Sequence, residues 1–158
     1  MAERRCEELG WGRGPRLFEV FLEPTCPHCA RAFGKLMPLL ERVGEERVTL
    51  RIRLQSQPWH LFSGVVSRAI LAASATGGGK AAAWQAMAQV FAHREEFVCT
   101  DHCSGPNLEV SPAEMLRRIE RLTGLDLDEA FRLEAVTTAV TWHARYAGRT
   151  ASTFPRAS

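Results

Sequence analysis

Lysine is scarce in this 158-residue chain: Lys35 and Lys80 are lysine, and the remainder of its 20 basic residues are arginine. That skew hints at GC-rich coding. A net charge of one sign is also lacking. At +2 the chain gives no general signal for nucleic acid. Long apolar runs are absent too. The most apolar stretch, Leu61 to Ala75, is interrupted by Arg68 and is too short to span a bilayer. Met1 to Gly10 carries three glutamates and no apolar run, so it does not read as a secretory signal. The expectation is a cytoplasmic protein with neither a membrane nor a nucleic-acid partner. Five cysteines are too few for a disulfide-rich mini-protein, and no internal repeat or low-complexity tract stands out.

What is present is the balance of a globular domain, with 46% apolar and 24% charged residues. A chain of this length buries roughly two-thirds of its unfolded surface. Residues 1–15, polar and containing GWGRG, read as a loose lead-in. Arg16 to Glu23, RLFEVFLE, reads as a strand largely buried on both faces. Pro24 and Thr25 break it. Helical spacing of Phe33, Leu36, Met37, Leu40 and Val43 predicts a helix from Cys26 to Val43, kinked by Pro38, whose ring crowds the carbonyl of Gly34. Arg47 to Leu54 alternates strictly and predicts a strand with one wet face. A β–α–β unit of this kind implies parallel strands.

The remainder reads as helical. The expected helices run from Trp59 to Ala75, from Lys80 to Glu95, from Ser111 to Gly124, through a short helix capped by Asp126 or Asp128, and from Glu134 to Ala147. Ser111-Pro112-Ala113-Glu114 has the form of a capping box, with Glu114 reaching back. Phe97 to Val110 reads as irregular.

Cys26-Pro27-His28-Cys29 lies where the apolar strand meets the helix. That placement suits thiol–disulfide exchange. Cys26 at the helix start is the candidate attacking thiol, because free N–H groups there favour a thiolate. Pro27 sits in the first turn, where its missing N–H costs nothing. A charged His28 would favour the thiolate further. Cys29, one turn in, is the candidate resolving thiol. Such exchange calls for no cofactor and no metal. The alternative is half of a zinc site completed by Cys99 and Cys103 about 70 residues on, with His93 and His102 nearby. Cys99 and Cys103 also read as surface-loop thiols, paired or free, and Cys6 as an exposed bystander. Trp59 and His60 leave the second strand on the rim that carries Cys26 and are candidate substrate-binding residues. Trp59 and Trp84 also read as packing residues, and His60 as part of the next helix's first turn.

FLEPTCPHCARAFGKL, the arginine-rich strand, LQSQPWH and the all-helical stretch after it together resemble the DsbA-like branch of the thioredoxin superfamily, over residues 16–147. The Cys-Pro-His-Cys sequence is the specific part of the likeness. It implies an α/β thioredoxin-like fold with an all-helical insertion. On that reading residues 16–56 form the βαβ unit, 57–133 the insertion and 134–147 a helix returning to the first part. It implies a thiol–disulfide oxidoreductase whose partners are protein or small-molecule thiols and disulfides, glutathione among them.

The resemblance also implies a cis-proline loop, two antiparallel strands and a final helix after the last predicted helix. Residues 148–158 do not resemble these, and Pro155 has too little chain after it to replace the cis-proline. The tail therefore reads as aberrant. Regrouped by one base, its codons can encode Gln-Asn-Gly-Ile-His-Val-Ser-Pro-Ser, a sequence of the loop's type, which suggests a frame shift near Ala147. Without the strands the chain is expected to present a bare apolar edge and an impaired substrate groove. Kappa-class glutathione transferases and 2-hydroxychromene-2-carboxylate isomerases share the helical insertion, although Cys29 speaks against them. A zinc-binding or inactive module is the other alternative.

Overall fold

The strict alternation of Val48, Leu50, Ile52 and Leu54 places four apolar side chains on one face, and this strand becomes the centre of the sheet. A computed structural model describes the backbone of residues 4–152 and the side chains of residues 4–150. Strand β3 (Val48–Leu54) lies between β1 (Gly10–Gly12), antiparallel to it, and β2 (Arg16–Leu22), parallel to it. Arg16 pairs with Val48 and Leu22 with Leu54, so both parallel strands end side by side.

The loose lead-in expected over residues 1–15 is instead partly strand, and its glycines explain why. Gly12 has φ +84°, and a Cβ there would meet the Val48 carbonyl oxygen at 2.3 Å. At Gly14 a Cβ would lie 2.0 Å from the Arg47 carbonyl carbon and the Val48 nitrogen. GWGRG is therefore a close backbone approach, in which glycine leaves room for the neighbouring main chain. Leu9 is buried beside it, and its carbonyl accepts from the Ile52 N–H.

Two expectations about the strands fail. Strand β2 is not buried on both faces. It is an edge strand among the described residues, and Leu17 and Phe18 are exposed. A groove of about 340 Å³ opens there, lined by Leu17, Phe18, Leu36, Leu39 and Leu40. The expected wet face of β3 fails at Arg53, which is buried. Its guanidinium lies over the rings of Trp142 (4.7 Å) and Tyr146 (5.2 Å), and its Nε donates to Glu19 Oε2 at 2.7 Å. Part burial opposes the charge of Glu19. Hydrogen bonds from Tyr146 and Arg53, with the charges of Arg53 and Arg51, outweigh that effect and hold its carboxyl below the ordinary value.

The kink expected at Pro38 is a full break. Helix α1 (Pro27–Phe33) ends at Gly34, the residue four before Pro38, and α2 (Leu36–Val43) begins after Lys35. Helix α3 (Ser63–Ser74) starts later than Trp59 because residues 58–62 form turns. Helix α4 (Gly79–Ala92) stops before a short 3-10 turn, Arg94–Glu96. Helix α5 (Pro112–Thr123) is capped as expected by Ser111 Oγ, which accepts from the Glu114 N–H at 3.1 Å. The Glu114 carboxylate is turned to Arg117 and Arg118. Helix α6 (Asp128–Phe131) is capped by neither aspartate. Leu127 sits at its start, and the Leu127 N–H donates to Glu120 Oε1. Helix α7 (Glu134–Ser152) continues past Ala147, so residues 148–152 extend the last expected helix. Pro155 and the rest of that tail lie outside the described residues. No helix is long and apolar enough to cross a membrane among the described residues.

Helix α3 is the hub of the helical part. Val66, Ala69, Ile70, Ala72 and Ala73 are fully buried, and α4, α5, α6 and α7 pack around it. Cys6 is no bystander: it is half-buried, its Sγ donates to the Leu71 and Ala135 carbonyls, and burial pushes its thiol up. Trp84 packs between Trp11 and Phe33, as its packing reading expected.

Two predictions concern stability. Gly14→Ala should destabilise the protein by about 1–3 kcal/mol, because the added methyl group meets backbone. Urea unfolding measures it, and an unchanged midpoint would contradict the close approach. The second concerns His143, which is buried and accepts from the Leu54 N–H through Nδ1 at 3.0 Å. Burial first, and then the Arg53 charge, push its pKa down to about 4. Between that value and the ordinary imidazole value of about 6.5, the unfolded chain binds a proton that the folded chain does not. Stability should therefore fall as pH drops through this window, by up to about 3 kcal/mol from this residue. His143→Gln keeps an acceptor for Leu54 and removes the titration. Its stability profile should be flatter over that window, and an equally steep profile would count against the assignment.

Candidate functional site

The parallel pairing of β2 and β3 brings two loops to the same rim. Residues 23–26 leave β2 there, and residues 55–62 leave β3. The Gln55 N–H donates to the Leu22 carbonyl at 2.9 Å, extending the ladder to the rim.

Cys26 is the N-cap of α1, with extended backbone angles (φ −83°, ψ 131°). Its N–H donates to the Glu23 carbonyl, and its own carbonyl accepts from the Ala30 N–H at 3.0 Å. Pro27 occupies the first helical position, as expected. Cys26 and Cys29 are both half-buried and unbonded to each other. Cys29 Sγ accepts the Glu23 N–H at 3.3 Å. Burial drives the Cys29 thiol up to about 11. The Glu23 N–H opposes the rise, while the charge and hydrogen bond of Cys26 and the charge of Glu23 add to it. His28 is exposed, and its Nδ1 accepts from the Arg31 guanidinium one turn on.

Trp59 and His60 separate. Trp59 is 54% exposed and meets the edge of the His60 ring. His60 precedes α3 and turns inward, its Nδ1 2.5 Å from Glu23 Oε2 and 3.1 Å from Thr25 Oγ1. Glu23 is fully buried. Its carboxylate also accepts from the Thr25 N–H at 3.2 Å and the Thr25 hydroxyl at 2.7 Å. The Thr25 N–H, the Thr25 hydroxyl and the His60 ring nitrogen thus converge on one buried carboxyl group. Arg94 Nε donates to the Thr25 carbonyl at 2.8 Å, tying the loop before Cys26 to the helical part. His102 stacks on His60 with ring centroids 5.2 Å apart. It stands in a tight turn closed by the Thr100–Ser104 bridge, where Asp101 (φ 48°) and His102 (φ 67°) are both left-handed. Non-glycine residues seldom adopt that backbone.

Sequence reasoning missed Glu23, Thr25 and Arg94, and it saw His102 only as a possible metal ligand. A signal for Glu23 existed: a carboxylate ending an apolar strand, one residue before Pro24. Nothing in the sequence pointed to the stacking of His102. Cys99 is half-buried, Cys103 is exposed, and both are free thiols. Among the described residues, no three Cys, His, Asp or Glu side chains gather as metal ligands.

The thiol environments generate one prediction. Iodoacetamide at neutral pH should label Cys26 well before Cys29, and Cys29 should become reactive only as pH rises toward about 11. Peptide mass spectrometry reads the order. Equal labelling of the two at neutral pH would contradict it.

No protein-family model matches the chain, and no curated protein matches it. Solved structures do. A Pseudomonas syringae protein, provisionally described as a protein-disulfide isomerase, is 54% identical with a TM-score of 0.89; the match covers 94% of this chain and 83% of that one. A thioredoxin-like oxidoreductase from Silicibacter pomeroyi is 21% identical, with a TM-score of 0.61 over 87% of this chain and 69% of that one. DsbA2 of Pseudomonas aeruginosa is 16% identical, with a TM-score of 0.64 over 95% of this chain and 77% of that one. The last two share the fold, while the first is close in sequence along most of both chains. This chain belongs to the same family as that Pseudomonas syringae protein, and it has the fold of the thioredoxin-like oxidoreductase and of DsbA2.

Proposed function

We propose that the chain is a thiol–disulfide oxidoreductase acting through Cys26-Pro27-His28-Cys29. The observation that carries this reading is the contrast between its two thiols. Cys26 sits at the mouth of α1 beside exposed Pro27 and His28, while Cys29 lies behind it, its sulfur on the Glu23 N–H and its thiol pushed up to about 11. A sulfur that stays protonated at neutral pH does not compete for the incoming disulfide, so Cys26 attacks first. Cys29 then resolves the mixed disulfide. The substrates are protein or small-molecule disulfides and thiols. Glutathione fits the chemistry, and Trp59 offers an exposed apolar surface on the loop that leaves β3. In a reducing compartment such as the cytoplasm, the resting form would be the dithiol.

Cys26→Ser should abolish insulin reduction. Cys29→Ser should accumulate mixed disulfides that resist competition and are visible on non-reducing gels. A Cys26→Ser protein that still reduces insulin at the parent rate would refute the reading.

A further inference from the structure

Arg94 is a cation that the exchange chemistry leaves unused. It opens the 3-10 turn after α4 and is half-buried. Its Nε donates to the Thr25 carbonyl at 2.8 Å, and no carboxylate pairs with it among the described residues. Arg53, Arg118 and Arg121, by contrast, each meet a carboxylate. With Nε spent on Thr25, the Nη groups of Arg94 remain as a pair of donors that matches the oxygens of a carboxylate.

Arg94 lines a cavity of about 40 Å³ together with Trp59, His60, Phe97, Cys99 and His102. No aspartate or glutamate is in that lining. A fixed positive charge partly withdrawn from water, in a wall that supplies no counter-charge, favours an anion. His102 gives His60 its ring face, so its ring nitrogens, which lie on the edge, are not used in that stack. Its turn holds two consecutive left-handed non-glycine residues, and strained backbone of this kind clusters at working sites. Volume decides the size of the ligand: at roughly 10–15 Å³ for each water, the space suits about three waters or one carboxylate group, and not a tripeptide. The cavity is tied to the attacking thiol by its own hydrogen bonds. Arg94 holds the Thr25 carbonyl, His60 Nδ1 lies 3.1 Å from the Thr25 hydroxyl, and Thr25 is the residue before Cys26.

We propose that this cavity is a carboxylate subsite for a small-molecule disulfide, in which Arg94, with the His102 ring edge beside it, holds a carboxylate of the substrate while Cys26 attacks the substrate sulfur. The proposal rests on the oxidoreductase reading above and names a substrate class for it. Cys26 enters as a thiolate. A bond forms between its sulfur and one substrate sulfur, the substrate's own S–S bond breaks, and the other half leaves as a thiolate. One thiolate replaces another, so charge and electrons balance and no further reactant is needed. The carboxylate does not react. The bond to Thr25 holds the guanidinium in place before the substrate arrives, which lowers the entropy lost on binding.

The test uses Cys29→Ser in the full chain, where the mixed disulfide accumulates and intact-protein mass spectrometry reads its rate of formation. Dithiodipropionate is compared with its diamide, each rate being divided by that of the same disulfide with free mercaptoethanol. The acid should be preferred by roughly tenfold or more, as a charge-assisted pair of hydrogen bonds provides, and Arg94→Gln should reduce that preference to within about twofold. A merely structural role, exerted through the Thr25 carbonyl, slows acid and diamide alike. Glutathione disulfide carries its carboxylates further from its sulfurs and separates the sources of such a group. A rate that falls with Arg94→Gln in step with dithiodipropionate assigns the tripeptide's carboxylate to the subsite, and a rate that tracks the diamide assigns a shorter acid. A second measurement needs no variant, because Cys99 lines the cavity and Cys103 does not. Methylthiopropionate, which cannot exchange, should slow iodoacetamide labelling of Cys99 by roughly threefold or more at saturation and leave Cys103 unchanged. An absent acid preference, an equal loss of acid and diamide rates in Arg94→Gln, or an unprotected Cys99 overturns the subsite and leaves the oxidoreductase reading intact. If Cys29→Ser forms no mixed disulfide with any of these disulfides, the oxidoreductase reading fails, and the subsite fails with it.

Discussion

The pairing of Leu22 with Leu54 is the contact on which the site depends. Because β2 and β3 are parallel and in register, both chains leave the sheet at the same level. One carries Glu23, Thr25 and Cys26, and the other carries His60. A slip of one residue would turn every β3 side chain to the other face. Ile52 and Leu54 would leave the core, Arg53 would leave the Trp142 and Tyr146 rings, and the loop bearing His60 would leave the rim at the wrong height. Register is fixed from both sides. The apolar alternation of β3 points into the helical part, while Arg53 and Glu19 pair on the opposite face beneath α7.

The second constraint is the burial of Glu23. An unpaired carboxylate removed from water costs several kcal/mol. This one is tolerated because Thr25 and His60 supply its hydrogen bonds. The same bonds fix the backbone before Cys26 and the orientation of His60. Arg94 adds a link from the helical part to the Thr25 carbonyl. The helical insertion thus shapes the site from outside the sheet, through Arg94 on the Thr25 carbonyl and His102 on the His60 ring.

These dependencies explain which features could be read from the sequence. The parallel βαβ unit, the break near Pro38, the Ser111 cap and the location of the thiol pair follow from local spacing and from single residues with strong backbone preferences. The failures are tertiary. GWGRG read as loose because glycine-rich sequence is locally permissive, and its close approach to Val48 is visible only once β3 is in place. Arg53 read as solvent-facing because alternation identifies a face without saying what covers it, and α7 arrives about 90 residues later. The stacking of His102 on His60 joins a turn and a loop more than 40 residues apart. In the site, a motif reading found both sulfurs but not the groups around them, because Glu23 and Thr25 looked like the end of a strand and the start of a break.

The open edge of β2 is the counterpart of this arrangement. Strand β1 covers the far side of β3, and its glycines permit that approach. On the near side, Leu17 and Phe18 stay exposed above a groove bounded by α2. Yet the half of β2 that approaches the thiols is progressively buried, ending at Leu22 and Glu23. The site therefore does not lean on the exposed end of the strand. It is held by the rim of the β2–β3 pair, by the polar cluster at Glu23 and by two contacts from the helical part. The apolar edge lies at the opposite end of the same strand.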